Sequence, residues 1–165
     1  MQTYTSKSKG RELALWAVGF AIVPAGLGYV VARWIPALWR HSPMIWGLLF
    51  LGTFFAIGTH FRNRQYGLPG LLVGIMPSLF WLGVFAYWFL VDRASGQPPG
   101  LFLMGGQLYA MLVIASATEI MTLLGVRSIA LQWAMVVAYG LIVVTFAAGF
   151  LRPHLGLRSS GTRRR

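Results

Sequence analysis

Residues 101–125 read LFLMGGQLYAMLVIASATEIMTLLG, and within them Glu119 is the only formally charged side chain inside any long apolar stretch of the chain. About 20 apolar residues at roughly 1.5 Å rise each match a hydrocarbon core of about 30 Å, so such a stretch reads as a membrane-spanning helix. Four more stretches of this kind flank it, over residues 13–31, 44–61, 70–91 and 128–151. The pattern predicts an all-α polytopic membrane protein, a bundle of five transmembrane helices. They form one transmembrane domain over residues 1–151, followed by a basic tail over 152–165 whose Pro, Gly and Ser content reads as disorder.

Composition points the same way. The chain has 165 residues, 57% of them hydrophobic and 10% charged, with a mean hydropathy of +0.67. A soluble domain carries about 25% charged residues, so these helices must have lipid as their solvent. The net charge of +11 does not imply nucleic acid, because the basic residues flank apolar segments instead of lining one face. Lys7, Lys9 and Arg11 stand at one end and Arg163, Arg164 and Arg165 at the other, a placement that suits anionic lipid headgroups. The chain has no cysteine, which removes disulfides and thiolate chemistry.

Lys7 to Arg11, the apolar run and Val23-Pro24-Ala25 loosely fit a signal peptide, but the run continues past the cleavage point and is long enough to span. Pro24 in the first span and Pro77 in the third predict kinks, and the backbone group freed at Pro77 needs a partner such as Ser78. The short turn around Arg127 predicts that the last two spans are antiparallel neighbours.

Five crossings place the chain ends on opposite faces. The face of the N-terminus, here called near, then collects Lys7, Lys9, Arg11, Arg62, Arg64 and Arg127, and the far face holds the other basic residues. So even a split decides little, but the first span and the short connection Arg62-Asn63-Arg64 favour a cytoplasmic near face, in a bacterial plasma membrane. Trp34, Trp39, Trp46 and Trp88 fall at the far boundary and Trp16 and Trp133 near the other, as an aromatic belt requires. Trp81 and Tyr139 lie at mid-depth, where they need an internal contact or hydrogen bond.

A carboxylate in hydrocarbon is costly unless paired, protonated or facing a cavity, which makes Glu119 the first candidate for function. Counting back from Gly125 puts it roughly 9 Å inside the near boundary. With the second and fourth spans running the same way, His60 and Gln132 share its face, and one of Arg62, Arg64 or Arg127 can snorkel towards it. Helical spacing adds Gln107, Thr118 and Thr122 as a polar stripe beside Glu119. The cluster reads either as a proton, cation or polar-substrate site or as a carboxylate neutralised by arginine to fix packing. Taken alone, His60 reads as an interfacial side chain.

Small residues recur at packing intervals: Ala17, Ala21 and Ala25; Gly70 and Gly74; Ala130, Ala134 and Ala138. They predict close helix contacts, within the bundle first and between copies second. The histidines and acids are not spaced as metal ligands, His41 and His154 lie on the other face from His60, and no metal or cofactor is expected. No nucleophile elbow, zinc-protease or phosphate-loop motif occurs, so an enzyme is not expected.

Five spans and many tryptophans resemble the layout of the tryptophan-rich sensory proteins, although Trp34-Ile35-Pro36-Ala37-Leu38-Trp39 does not reproduce the connection those proteins carry after the first span. The hydropathy of the first three spans, with Arg62 to Pro69 leading into the third and Val91-Asp92-Arg93 closing it, looks like the N-terminal part of some cell-wall glycan polymerases. No shared motif assigns either family. The sequence therefore predicts a small non-catalytic subunit or helper of a larger membrane assembly. Its partners would be the lipid bilayer, including anionic lipids, and a membrane protein or further copies of itself, with no nucleic acid. The alternative is a small permease or a proton- or cation-coupled transporter component that uses Glu119.

Overall fold

The computed structural model describes residues 2–34, 43–92, 101–125 and 131–152, and every regular element among them is a helix. In chain order these are α1 (Gln2–Trp34), α2 (Pro43–Asn63), α3 (Gly67–Tyr87), α4 (Leu101–Leu123) and α5 (Leu131–Leu151), with a π-helical turn, Trp88–Asp92, extending α3. Helices are what an apolar chain without water must form, because each backbone polar group then finds its partner within the segment. Four of them, over Lys9–Val31, Met44–Asn63, Gly67–Val91 and Trp133–Leu151, are long and apolar enough to cross a membrane unbroken. α4 passes the same test only as a bent pair, turning by 52° between Ile114 and Ser116. The all-α membrane bundle is therefore as the hydropathy predicts. The expected connection at 93–100, the turn around Arg127 and the tail beyond Arg152 lie outside the described residues.

Side-chain neighbours fix the direction of each helix. Trp16 of α1 packs on His60 and Phe61 at the end of α2, with ring centroids 6.2 and 5.3 Å apart, so α1 and α2 are antiparallel. Ala17 and Ala21 share a groove with Leu72, Met76 and Phe80, which makes α1 and α3 parallel. Gly74 of α3 lies against the Phe146 ring of α5, while Phe85 and Phe89 line one cleft with Trp133 and Val136, so α3 and α5 are antiparallel. It follows that α5 runs with α2, and the Arg62 guanidinium, 3.5 Å from the Phe150 carbonyl, marks where both end.

This corrects the expected topology. α5 starts at the far end and finishes at the near end, so α1 begins and α5 ends on the same side of the bundle. Trp133 belongs to the far end and not to the near one. α4 follows the far end of α3 and precedes the far end of α5. Along its length it touches Trp81 and Tyr139 at Gly105 and Gly106, then Gly28 of α1 at Leu108, then Gly47 of α2 at Leu112 and Ser116. It thus crosses from the α3–α5 side to the α1–α2 side instead of running alongside them. Tyr109, Ala110, Val113, Ser116 and Ala117 are buried, and α4 contacts all four other helices.

In the near half the centre is filled by rings. Phe20, Phe54, Phe61 and Phe146 are all buried, with Phe20 and Phe146 edge to face at 5.7 Å. α2 and α5 make the closest helix pair, because Gly58 and Gly149 bring their backbones together. α1 and α2 barely approach through their backbones and are bridged by aromatic side chains. α1 runs through Pro24 without interruption.

Candidate functional site

Buried polar groups in lipid must find partners, and the bundle centre contains one such set. The Ser78 and Tyr109 hydroxyls are 3.1 Å apart, and the Tyr139 hydroxyl donates to the Gly106 carbonyl at 2.6 Å. Ser78, Tyr109 and Tyr139 are fully buried, and the two tyrosine rings stack at 6.2 Å. This network ties α3, α4 and α5 at mid-bundle. Tyr139 finds the internal hydrogen bond that its depth demanded, and Trp81 packs where a methyl at Gly105 would meet its ring at 2.9 Å. Ser78, expected to serve the backbone near Pro77, pairs with Tyr109 instead.

A second polar set sits at the near end. The chain leaves α2 through Arg64 and Gln65, whose φ of 55° is left-handed, and enters α3 after Tyr66. Tyr66 is buried against Phe61, and its hydroxyl has no hydrogen-bond partner among the described residues. Burial first, and the nearby Glu12 carboxylate second, push its pKa up to about 12, while Arg64 pulls the other way. Glu12, Arg64 and Tyr66 are therefore neighbours at this end, and His60 packs on Trp16.

The structure does not bring Glu119 to His60. Ser116, one turn before Glu119, lies against Gly47, and His60 is a further 13 residues along α2, so no less than roughly 15 Å separates the two along the bundle. Glu119 therefore sits in the far half and not roughly 9 Å inside the near boundary, as sequence counting placed it. It is half-buried and makes no ion pair or hydrogen bond among the described residues. Thr118 and Thr122 are exposed, and their hydroxyls donate to the carbonyls of Ile114 and Thr118, both at 2.9 Å. The two threonine hydroxyls are thus satisfied within their own helix. Gln107 is half-buried, and Gln132 lies in the first turn of α5, at the far end with Glu119 and away from His60.

The small-residue rows divide. Half-buried Ala17 and exposed Ala21 line an outer groove beside α3, Gly70 and Gly74 admit Phe61 and Phe146, and Ala134 and Ala138 are buried. Ala25 is half-buried against the core, and Ala130 lies outside the described residues. Among the described residues no group of three His, Asp or Glu side chains could hold a metal ion. Sequence reading missed the pairing of Ser78 with Tyr109, and it missed Tyr66. Two hydroxyls at mid-span were the available signal for the pairing, whereas nothing local marks Tyr66.

No protein-family model matches the chain, and comparisons with curated proteins and with solved structures found no match. What is defined is a class: an all-helical bundle whose apolar helices suit a membrane.

Proposed function

We propose that this protein is a non-catalytic subunit or helper of a larger membrane assembly, with its near end in the cytoplasm. The observation that carries the reading is the filled centre: four phenylalanines occupy the near half and the Ser78–Tyr109–Tyr139 network the far half. A polar solute would have to displace both. The mid-bundle hydroxyls of Ser78, Tyr109 and Tyr139 are engaged in holding helices together, which leaves the outer faces as the working surface. Crosslinking in native membranes, followed by purification in mild detergent, tests this. A defined partner is expected, and a lone, uncrosslinked monomer defeats the proposal.

The orientation rests on charge. Among the described residues, with α1 beginning and α5 ending on one side, Lys7, Lys9, Arg11, Arg62, Arg64 and Arg152 fall on that side and Arg33 on the other. Basic residues close to span ends favour the cytoplasm, so this bias supports a cytoplasmic near end. Reporters fused to each end should both read cytoplasmic. Opposite readings overturn the orientation.

The bend in α4 favours one second reading, since discontinuous helices build the binding sites of secondary transporters. In that case Glu119→Gln abolishes pH-dependent flux in liposomes. In the helper reading the wild-type protein supports none.

A further inference from the structure

Because α1 and α2 stand apart, a groove runs between them on the outer surface. Its wall on α1 is Trp16, Gly19, Val23 and Leu27, and on α2 it is Phe50, Thr53 and Ile57. Alongside, it widens over the outer face of α2 at Gly52 and Ala56 and reaches His60 at the near end. A methyl placed at Gly19 or Gly52 meets nothing within 4 Å, so the glycines leave real space here. From Trp16 to Leu27 the groove extends roughly 16 Å, about half of a 30 Å hydrocarbon core. It therefore belongs to one leaflet.

Its width selects the occupant. The inner part is a cavity of about 180 Å³ lined mostly by apolar side chains. Spread over roughly 16 Å, this gives a cross-section of about 11 Å², far below the roughly 80–110 Å² of a helix 10–12 Å in diameter. The slot suits a thin, flexible acyl chain better than a partner helix.

The near end supplies a head for that chain. Lys9 lies seven residues before Trp16, which at 100° per residue returns it to within about 20° of the same face. The Arg64 amide bonds to the His60 carbonyl at 3.0 Å, placing Arg64 on the turn above His60. Lys9, His60 and Arg64 are all exposed. Glu12 is the one acid at this end among the described residues, and it neighbours Tyr66. We infer that the α1–α2 groove is a site for one anionic phospholipid of the near leaflet, with an acyl chain between Trp16 and Leu27 and its phosphate at Lys9, His60 and Arg64. This goes beyond general attraction of basic ends to a membrane and does not depend on a partner protein.

Native mass spectrometry of the full chain, released from micelles containing equal phosphatidylglycerol and phosphatidylcholine, tests the assignment. The wild type should retain one phosphatidylglycerol, preferred by roughly thirtyfold, the effect expected of two basic side chains at a lipid surface. Lys9→Gln with Arg64→Gln should abolish the preference without disturbing the fold, since both side chains are exposed. Gly52→Leu, which grows into open space, should lower retention of both lipids, with circular dichroism confirming an intact bundle. Equal retention of the two lipids by the wild type, or unchanged retention in Gly52→Leu, overturns the site. So does an interchain disulfide formed by Gly52→Cys in native membranes, because a second copy then covers the groove.

Discussion

Gly149→Ala is the most direct test of the direction assigned to α5. In the structure a methyl at Gly149 lands on the Phe55 carbonyl of α2, and one at Gly58 lands on the Phe146 carbonyl, with the Phe150 nitrogen at 3.0 Å. These are backbone atoms of neighbouring helices, so no side chain can rotate away and the helices themselves must part. Overpacking of this kind costs about 1–3 kcal/mol. Alanine recovers part of it, since it is favoured over glycine inside a helix by about 0.5–1 kcal/mol. The expected net loss is about 1–2 kcal/mol for Gly149→Ala and similar for Gly58→Ala. Gly52→Ala is the matched control on α2: its methyl meets nothing within 4 Å, so it should be neutral or stabilising by about 0.5 kcal/mol. Unfolding by titration of dodecyl sulfate into mild-detergent micelles, followed by circular dichroism, reads the difference. Equal stability of the Gly149→Ala and Gly52→Ala proteins would refute the close α2–α5 contact, and with it the parallel run that puts the start of α1 and the end of α5 on one side.

Tyr139→Phe removes the donor to the Gly106 carbonyl and should cost about 0.5–1.5 kcal/mol in the same titration, while Ser78→Ala and Tyr109→Phe should be non-additive because the two hydroxyls share one bond. The Tyr66 phenol is held above its ordinary value of 10.0, at about 12, so the neutral form stabilises the near end fully below pH 10 and this contribution is lost as pH rises through 12. In alkaline titration of phenolate absorbance, Glu12→Gln should make one tyrosine ionise earlier than in the wild type, and Glu12→Gln should have no such effect in the Tyr66→Phe background. Glu119→Gln should leave unfolding of the isolated bundle unchanged within about 0.5 kcal/mol, since its carboxylate has no bonded partner among the described residues. A loss of several kcal/mol would mean that the side chain holds a helix in place.

Glu119 shows how far a linear reading reaches. Its isolation in an apolar stretch is plain from composition, and so is the stretch itself. Its neighbours were placed by assuming that every stretch crosses in turn, whereas α5 runs antiparallel to α3, so α4 starts and α5 begins at the same far end. Tyr109 lay in view within the same stretch. Its value as a buried partner depends on α4 passing through the middle of the bundle, where Ser78 can meet it.

By itself the sequence determined that the chain is a bundle of apolar helices in lipid, and roughly where each helix starts and stops. Burial of apolar side chains and internal pairing of the backbone are local and additive, so counting residues captures them. Only the tertiary structure decided the course of α4, the direction of α5, the side on which α1 starts and α5 ends, and the company of Glu119. Hydropathy measures how long a segment can stay in hydrocarbon and carries no sign for its direction. That sign comes from contacts such as Gly74 with Phe146 and Gly149 with Phe55, between residues far apart in the chain.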